Sequence, residues 1–178
     1  MTLQGTDIGL FLTTVAGTAG SSLTQPDPAN SRGRYASLTG LASGQVGALF
    51  STVGAAQATA GHTQFRAVAV RNLAAVAQMI NASLFIADPA GGGDYAVGLD
   101  PVGIVAHNSA AAQGGEIATV TTPPIGVTFS TPSATAVLPI GTMAPNTVQL
   151  VWVRQVVGAA TPGAAADPVT LSIRAETT

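Results

Sequence analysis

The sequence predicts an all-β fold: an antiparallel β-sandwich, of jelly-roll or immunoglobulin-like type, with an extended N-terminal arm. After Gly61, short runs of β-branched and aromatic residues are separated by Gly and Pro about every ten residues, as in sandwiches and barrels. Before Gly61, small residues dominate and apolar alternation is rare. We therefore divide the 178 residues into an arm at 1–61 and a sandwich domain at 62–178, since one domain can fill this length.

Residues 1–61 are expected to form an arm with little core of its own. Segment 25–33 contains two prolines, which lack the N–H that ladders need, and 44–60 could form only a loose helix because of its glycines. Ordering such a chain costs about 1–2 kcal/mol per residue, so we expect the arm to be loosely attached until it meets a neighbouring subunit. The residues expected to make that contact are Leu10, Phe11, Leu12, Leu49, Phe50 and Val53.

The first strong strand is predicted at 64–71. Its alternation puts Val68 and Val70 on one face and Phe65 and Ala67 on the other. Because both sets are apolar, the strand should be covered on both faces.

Later runs predict the rest of the sandwich. Residues 147–156 place Val148, Leu150 and Trp152 on one face, and alternation in a strand makes that face the buried one. Segment 73–80 is open to two interpretations, a short helix or a strand in its second half. The other predicted strands are 83–87, 95–99, 116–121, 127–130 and 169–174.

Composition narrows the possible partners. Only 8% of residues are charged and none is lysine, against about 25% charged residues in ordinary domains. Scattered arginines and a net charge of −2 argue against nucleic acid, and no apolar run reaches a membrane-spanning length. A weakly charged surface favours burial against other protein subunits.

No catalytic or metal-binding constellation stands out. The chain has no cysteine and no Gly-x-Ser-x-Gly motif, so His62 and His107 have no recognisable nucleophile to serve. Asp88, Asp94 and Asp100 lack the ligand spacing of an EF-hand loop, and Asp before Pro is typical of turn initiation. We therefore predict no enzyme activity, no small-molecule substrate, no cofactor and no metal.

Four short motifs, in this order, resemble tailed-bacteriophage virion structural proteins. They are a Leu-Phe pair at 49–50 followed by Gly61 to Asn72, a Val-x-Phe-x-x-Pro run at 127–132, Leu-Pro-Ile-Gly at 138–141 and Val-Trp-Val-Arg at 151–154. The resemblance implies a β-sandwich cement or decoration protein on the exterior of a phage capsid. Its partners would then be the major capsid protein and copies of itself, as a homotrimer.

Two alternatives remain open at this point. A tail- or baseplate-associated β-domain would adhere to its neighbours in the same way, under a different symmetry. A carbohydrate-binding adhesion module would instead need exposed aromatic side chains, for which Tyr35 and Phe11 are the candidates.

Overall fold

Two antiparallel sheets pack face to face in the computed structural model, which describes residues 5–17, 23–42, 47–51, 53–88, 93–159 and 169–176. The prediction of an all-β sandwich is confirmed. The described residues contain one short α-helix, α1 (Ala55–Ala60), two single-turn 3-10 helices, and nine strands: β1 (Ile8–Thr14), β2 (Tyr35–Gly40), β3 (His62–Asn72), β4 (Met79–Asp88), β5 (Gly93–Leu99), β6 (Val105–Ala106), β7 (Leu138–Met143), β8 (Thr147–Val157) and β9 (Thr170–Glu176).

The larger sheet has the strand order β2-β1-β3-β8-β5, and β6 pairs with β8 beyond the end of β5. Its centre is the long pair β3 and β8, in register from His62 opposite Val157 to Arg71 opposite Val148. The smaller sheet has the order β7-β4-β9. Of the two interpretations of segment 73–80, the short helix is not formed: residues 73–78 are coil, and strand β4 begins at Met79, in the second half.

The main core lies between the sheets. Val68 and Val70 of the larger sheet and Leu84 and Met143 of the smaller one are fully buried there. The face predicted for Val68 and Val70 is therefore correct. Every second residue of strand β9, including Ile173, packs against the same core, which matches the alternation of its sequence.

The opposite face of the larger sheet is covered by residues 107–131, which we call the outer segment. Phe65 and Trp152 are buried beneath it, where they pack against Ile117 of the outer segment itself. The predicted strands 116–121 and 127–130 are wrong, since each contributes only one isolated bridge, at Glu116 and at Ser130. The outer segment crosses the sheet as coil, so its backbone groups bond at scattered points along the way.

Residues 1–61 do not form an extended arm where they are described. Strand β1 lies inside the larger sheet between β2 and β3, with Leu12 opposite Val68. Thr13 and Ser31 are fully buried, and their hydroxyl groups bond each other at 3.1 Å. The arm prediction failed because these small residues are core positions whose hydroxyls satisfy one another, which apolar alternation cannot reveal.

One connection closes a side of the sandwich. Ser130 exchanges two backbone bonds with Val97 of β5, and the Pro132 carbonyl then accepts from Ile86 N–H of β4 at 3.0 Å. The chain continues directly into β7 on the same side of β4. Among the described residues, no such connection closes the opposite side of the sandwich, between β9 and β1.

Candidate interaction surface

Most of the residues predicted to contact a partner are used inside the chain. Leu12, Leu49 and Phe50 are buried in the core between the sheets, and Val53 is buried beside Ala58. The prediction that these four residues contact another subunit is therefore wrong, because their apolar side chains fill the interior of the chain itself.

The other two predicted contact residues are half-buried. The Arg71 guanidinium lies 4.8 Å from the centre of the Phe11 ring, so this ring is covered as well. Leu10 remains accessible beside the open side of the sandwich, in a shallow cleft of about 280 Å³. The cleft is lined by Gly5, Ile8, Leu10 and Ile173.

Arginine–aromatic pairs explain why so little positive charge is free. Five of the six arginines lie 4.8 to 5.6 Å from the centre of an aromatic ring, which is favourable because the ring face is electronegative. The sixth, Arg32, donates to the Ala118 carbonyl. The five pairs are Arg34–Tyr35, Arg66–Phe50, Arg71–Phe11, Arg154–Phe129 and Arg174–Phe85.

Arg66 is the most buried of these cations, only 1% exposed. Its Nη2 donates to Gln64 Oε1 at 3.1 Å, Gln64 donates to Gln155, and Gln155 donates to the Tyr95 hydroxyl at 2.7 Å. Burial lowers the pKa of Arg66 to about 10, opposed by the charge of Asp27. The network replaces water around a cation that has no carboxylate within salt-bridge distance among the described residues.

Asp100 anchors the outer segment. Its Oδ2 accepts from Trp152 Nε1 at 2.8 Å and from the Gly115 N–H at 2.9 Å, while Oδ1 accepts from the Val102 N–H at 3.0 Å. The last bond makes the turn predicted at this Asp-Pro pair. The second Asp-Pro turn was predicted at Asp88-Pro89, and Pro89 lies outside the described residues.

The two histidines lie at opposite ends of strand β8. His62 is opposite Val157, whereas His107 follows β6, which pairs with the start of β8 at Thr147. Ten residues of strand span roughly 33 Å, so the two imidazoles cannot share a catalytic site. Burial, and then the nearby Arg71 charge, lowers the pKa of His107, and its buried Nε2 has no hydrogen-bond partner among the described residues.

No aromatic side chain is exposed, although all eight lie in the described residues. Tyr35 is 5% exposed, and Phe11 is half-buried under Arg71. The stacking platform that a carbohydrate-binding module needs is therefore not formed by either candidate.

Exposed apolar side chains are aliphatic instead. Ile125 is 94% exposed and Val102 is 48% exposed. The turns that carry them meet, because a Cβ on Gly126 would lie 3.3 Å from Pro101. We call this the Ile125 tip, defined by Pro101, Val102, Ile125 and Gly126. Leu38 and Val76 are also exposed, at 50% and 63%.

Two searches of the described part of the chain were negative. No group of three or more His, Cys, Asp or Glu side chains there could hold a metal ion. No helix there is long and apolar enough to cross a membrane. Comparison with known proteins gave no match to any protein family, curated protein or solved structure.

Proposed function

We propose that this chain is a non-enzymatic structural component of a bacteriophage particle, which cements or decorates the outside of the capsid shell. It would act by packing against the major capsid protein and against copies of itself. The observation that carries the proposal is a surface that exposes aliphatic side chains, above all Ile125 at 94%, while nearly every cation is held against a ring of the same chain.

Such a surface suits a protein partner better than the other classes considered. Nucleic acid needs clustered free cations, and a sugar platform needs exposed aromatic rings, neither of which the described residues offer. Exposed aliphatic patches are typical of protein–protein contact sites. The four motifs that resemble phage virion proteins are the basis for three further parts of this proposal: the phage particle, the major capsid protein as partner, and the homotrimer.

The Ile125 tip gives the proposal a direct test. Replacement of Ile125 by Asp should abolish co-sedimentation of the purified protein with empty capsids, since a charge would be buried at the contact. Thr121→Asp is the matched control, because it adds the same charge to an exposed position of the outer segment. Thermal melts should be unchanged in both variants.

Three experimental outcomes distinguish the proposed capsid contact from its alternatives. Loss of binding only in the Ile125 variant supports the proposal. Equal binding by both variants and the parent chain contradicts a contact through the tip. Cryo-electron microscopy of intact particles that places this chain in the tail or baseplate would contradict the capsid location and favour the tail-associated alternative.

A further inference from the structure

Strand β2, one edge of the larger sheet, is covered by other parts of the chain. The Leu38 N–H donates to the Leu23 carbonyl at 3.0 Å, and the Ala36 N–H donates to Gln113 Oε1 at 2.7 Å. Gln113 is fully buried, and its Nε2 bonds the His107 carbonyl. The donors that could pair with an incoming strand are therefore already used.

Two other edges are covered or irregular. Strand β5 is covered by Ser130, which bonds Val97 in both directions. Strand β7 contains Pro139, which pairs with Ser83 and removes one donor, and Gly141, whose φ of 105° breaks the regular strand geometry. Prolines and irregular residues protect edge strands against pairing with other chains.

Strand β9 has neither kind of protection. In the described residues it pairs only with β4. Ile86 of β4 turns its N–H away from β9, toward Pro132, so its partner Leu171 must turn its own N–H and C=O away from β4. Because the pairing is regular between Leu171 and Ile173, which are two residues apart, the N–H and C=O of Ile173 also point away from β4. Two residues of β9 thus present backbone donors and acceptors at a free edge.

An apolar cleft lies along this same side. Ile173 lines it from β9, and Ile8 and Leu10 line it from β1. Leu171 and Ile173 are themselves only half-buried. The free edge therefore combines unpaired backbone groups with apolar side chains that another strand would cover.

We propose that this edge pairs with the β9 edge of a second copy of the chain, antiparallel about a two-fold axis, so that two three-stranded sheets become one of six strands. The proposal goes beyond the capsid assignment and does not depend on it. Another extended backbone can replace water on the whole row of outward N–H and C=O groups at once, and such strand addition is a common mode of recognition.

The charge pattern of β9 suits pairing with itself. Arg174 and Glu176 are its only charged residues. A two-fold axis at Ile173 sets Arg174 opposite Ser172 of the copy and Leu171 opposite Ala175, so no charged residue faces a like charge. An axis at Arg174 or at Glu176 would place that residue opposite its own copy, and like charges are unfavourable in cross-strand pairs.

Two-fold pairing closes after two copies, because each copy has one such edge. A homotrimer would have to be built on a different surface, and both contacts could then occur in one assembly. The proposal therefore predicts a dimer of the purified chain as the smallest self-associated species.

Amide hydrogen exchange at two protein concentrations tests the pairing residue by residue. At high concentration, the amides of Leu171 and Ile173 should exchange about tenfold more slowly than at high dilution. Those of Ser172 and Arg174 point toward β4 and should be protected at both concentrations. Sedimentation under the same conditions should show mass rising from one chain to two.

Ser172→Lys should prevent dimer formation and remove the concentration dependence, because lysine on an edge strand opposes pairing. Leu38→Lys is the matched control on the covered β2 edge and should leave the dimer intact. A monomer at every concentration, or protection of Leu171 and Ile173 that does not vary with concentration, would overturn the proposal. Protection that appears only after a different protein is added would also overturn it.

Discussion

The two faces of the larger sheet are covered in different ways. On the inner face, a second sheet supplies regular strands, and the contact is made by aliphatic residues such as Val68 and Leu84. On the outer face, coil covers the sheet, and polar side chains fix it: Asp100 bonds Trp152 and the backbone of the outer segment, and Gln113 bonds β2. A covering sheet satisfies its own backbone within its ladders, whereas the covering coil bonds at scattered backbone groups and is fixed further by side chains.

Close approach is the second difference between the faces. A Cβ on Gly98 would clash with the Thr128 carbonyl oxygen, and one on Gly33 would clash with the Gly115 carbonyl oxygen. The backbone of the outer segment thus lies directly on the sheet, where only glycine leaves room. The inner face instead keeps side chains between two backbones.

The largest effect is expected from Trp152→Ala on the outer face. Trp152 is fully buried and packs with Phe65 and Ile117, so the change should reduce the free energy of unfolding by about 3–5 kcal/mol. Denaturant unfolding measures this. A loss below about 1 kcal/mol would mean that the outer face contributes little to stability.

Asp100→Ala should loosen the outer face alone. Loss of its bonds leaves Trp152 Nε1 and the Gly115 N–H without their acceptor, at a cost of about 1.5–3 kcal/mol. Hydrogen exchange should accelerate in the outer segment while β4 stays protected. Asp94→Ala is the control, since that residue is exposed. Equal acceleration in both sheets would contradict independent anchoring.

Low pH should destabilise the outer face through protonation of His107. The pKa of His107 is lowered from 6.5 in the folded chain, so the unfolded chain binds the proton more tightly. Stability is therefore present above about pH 6.5 and lost as pH falls through the folded pKa. Unfolding measured from pH 7.5 to 5 should show this decline, and His107→Gln should reduce it. Identical pH profiles for the two proteins would contradict the argument.

The smallest effect is expected at the surface ion pair of Arg34 and Glu116. The two groups are 3.4 Å apart, with side chains 42% and 53% exposed. Exposed pairs contribute about 0–1 kcal/mol. Glu116→Gln should thus lower stability by less than about 1 kcal/mol, less still in high salt, and a larger loss would indicate a structural role for this carboxylate.

Alternation was sufficient to predict several strands from sequence. The run from Gln64 to Arg71 and the Val148, Leu150 and Trp152 face both correspond to the strands observed, β3 and β8. Each is long and apolar, so its period is clear. The candidate contact residues were less predictable, because Phe50 is apolar whether it fills a core or meets a partner, and only burial distinguishes the two.

The sequence by itself determined the all-β class and the scarcity of charged residues, because both follow from local composition and period. Tertiary structure alone decided that β1 lies within the sheet, where buried hydroxyls such as Thr13 and Ser31 bond one another. It also decided which edges are covered, since the bond from Ala36 to Gln113 joins residues 77 positions apart. Contacts between distant residues depend on how the chain returns to itself, and no local pattern encodes that path.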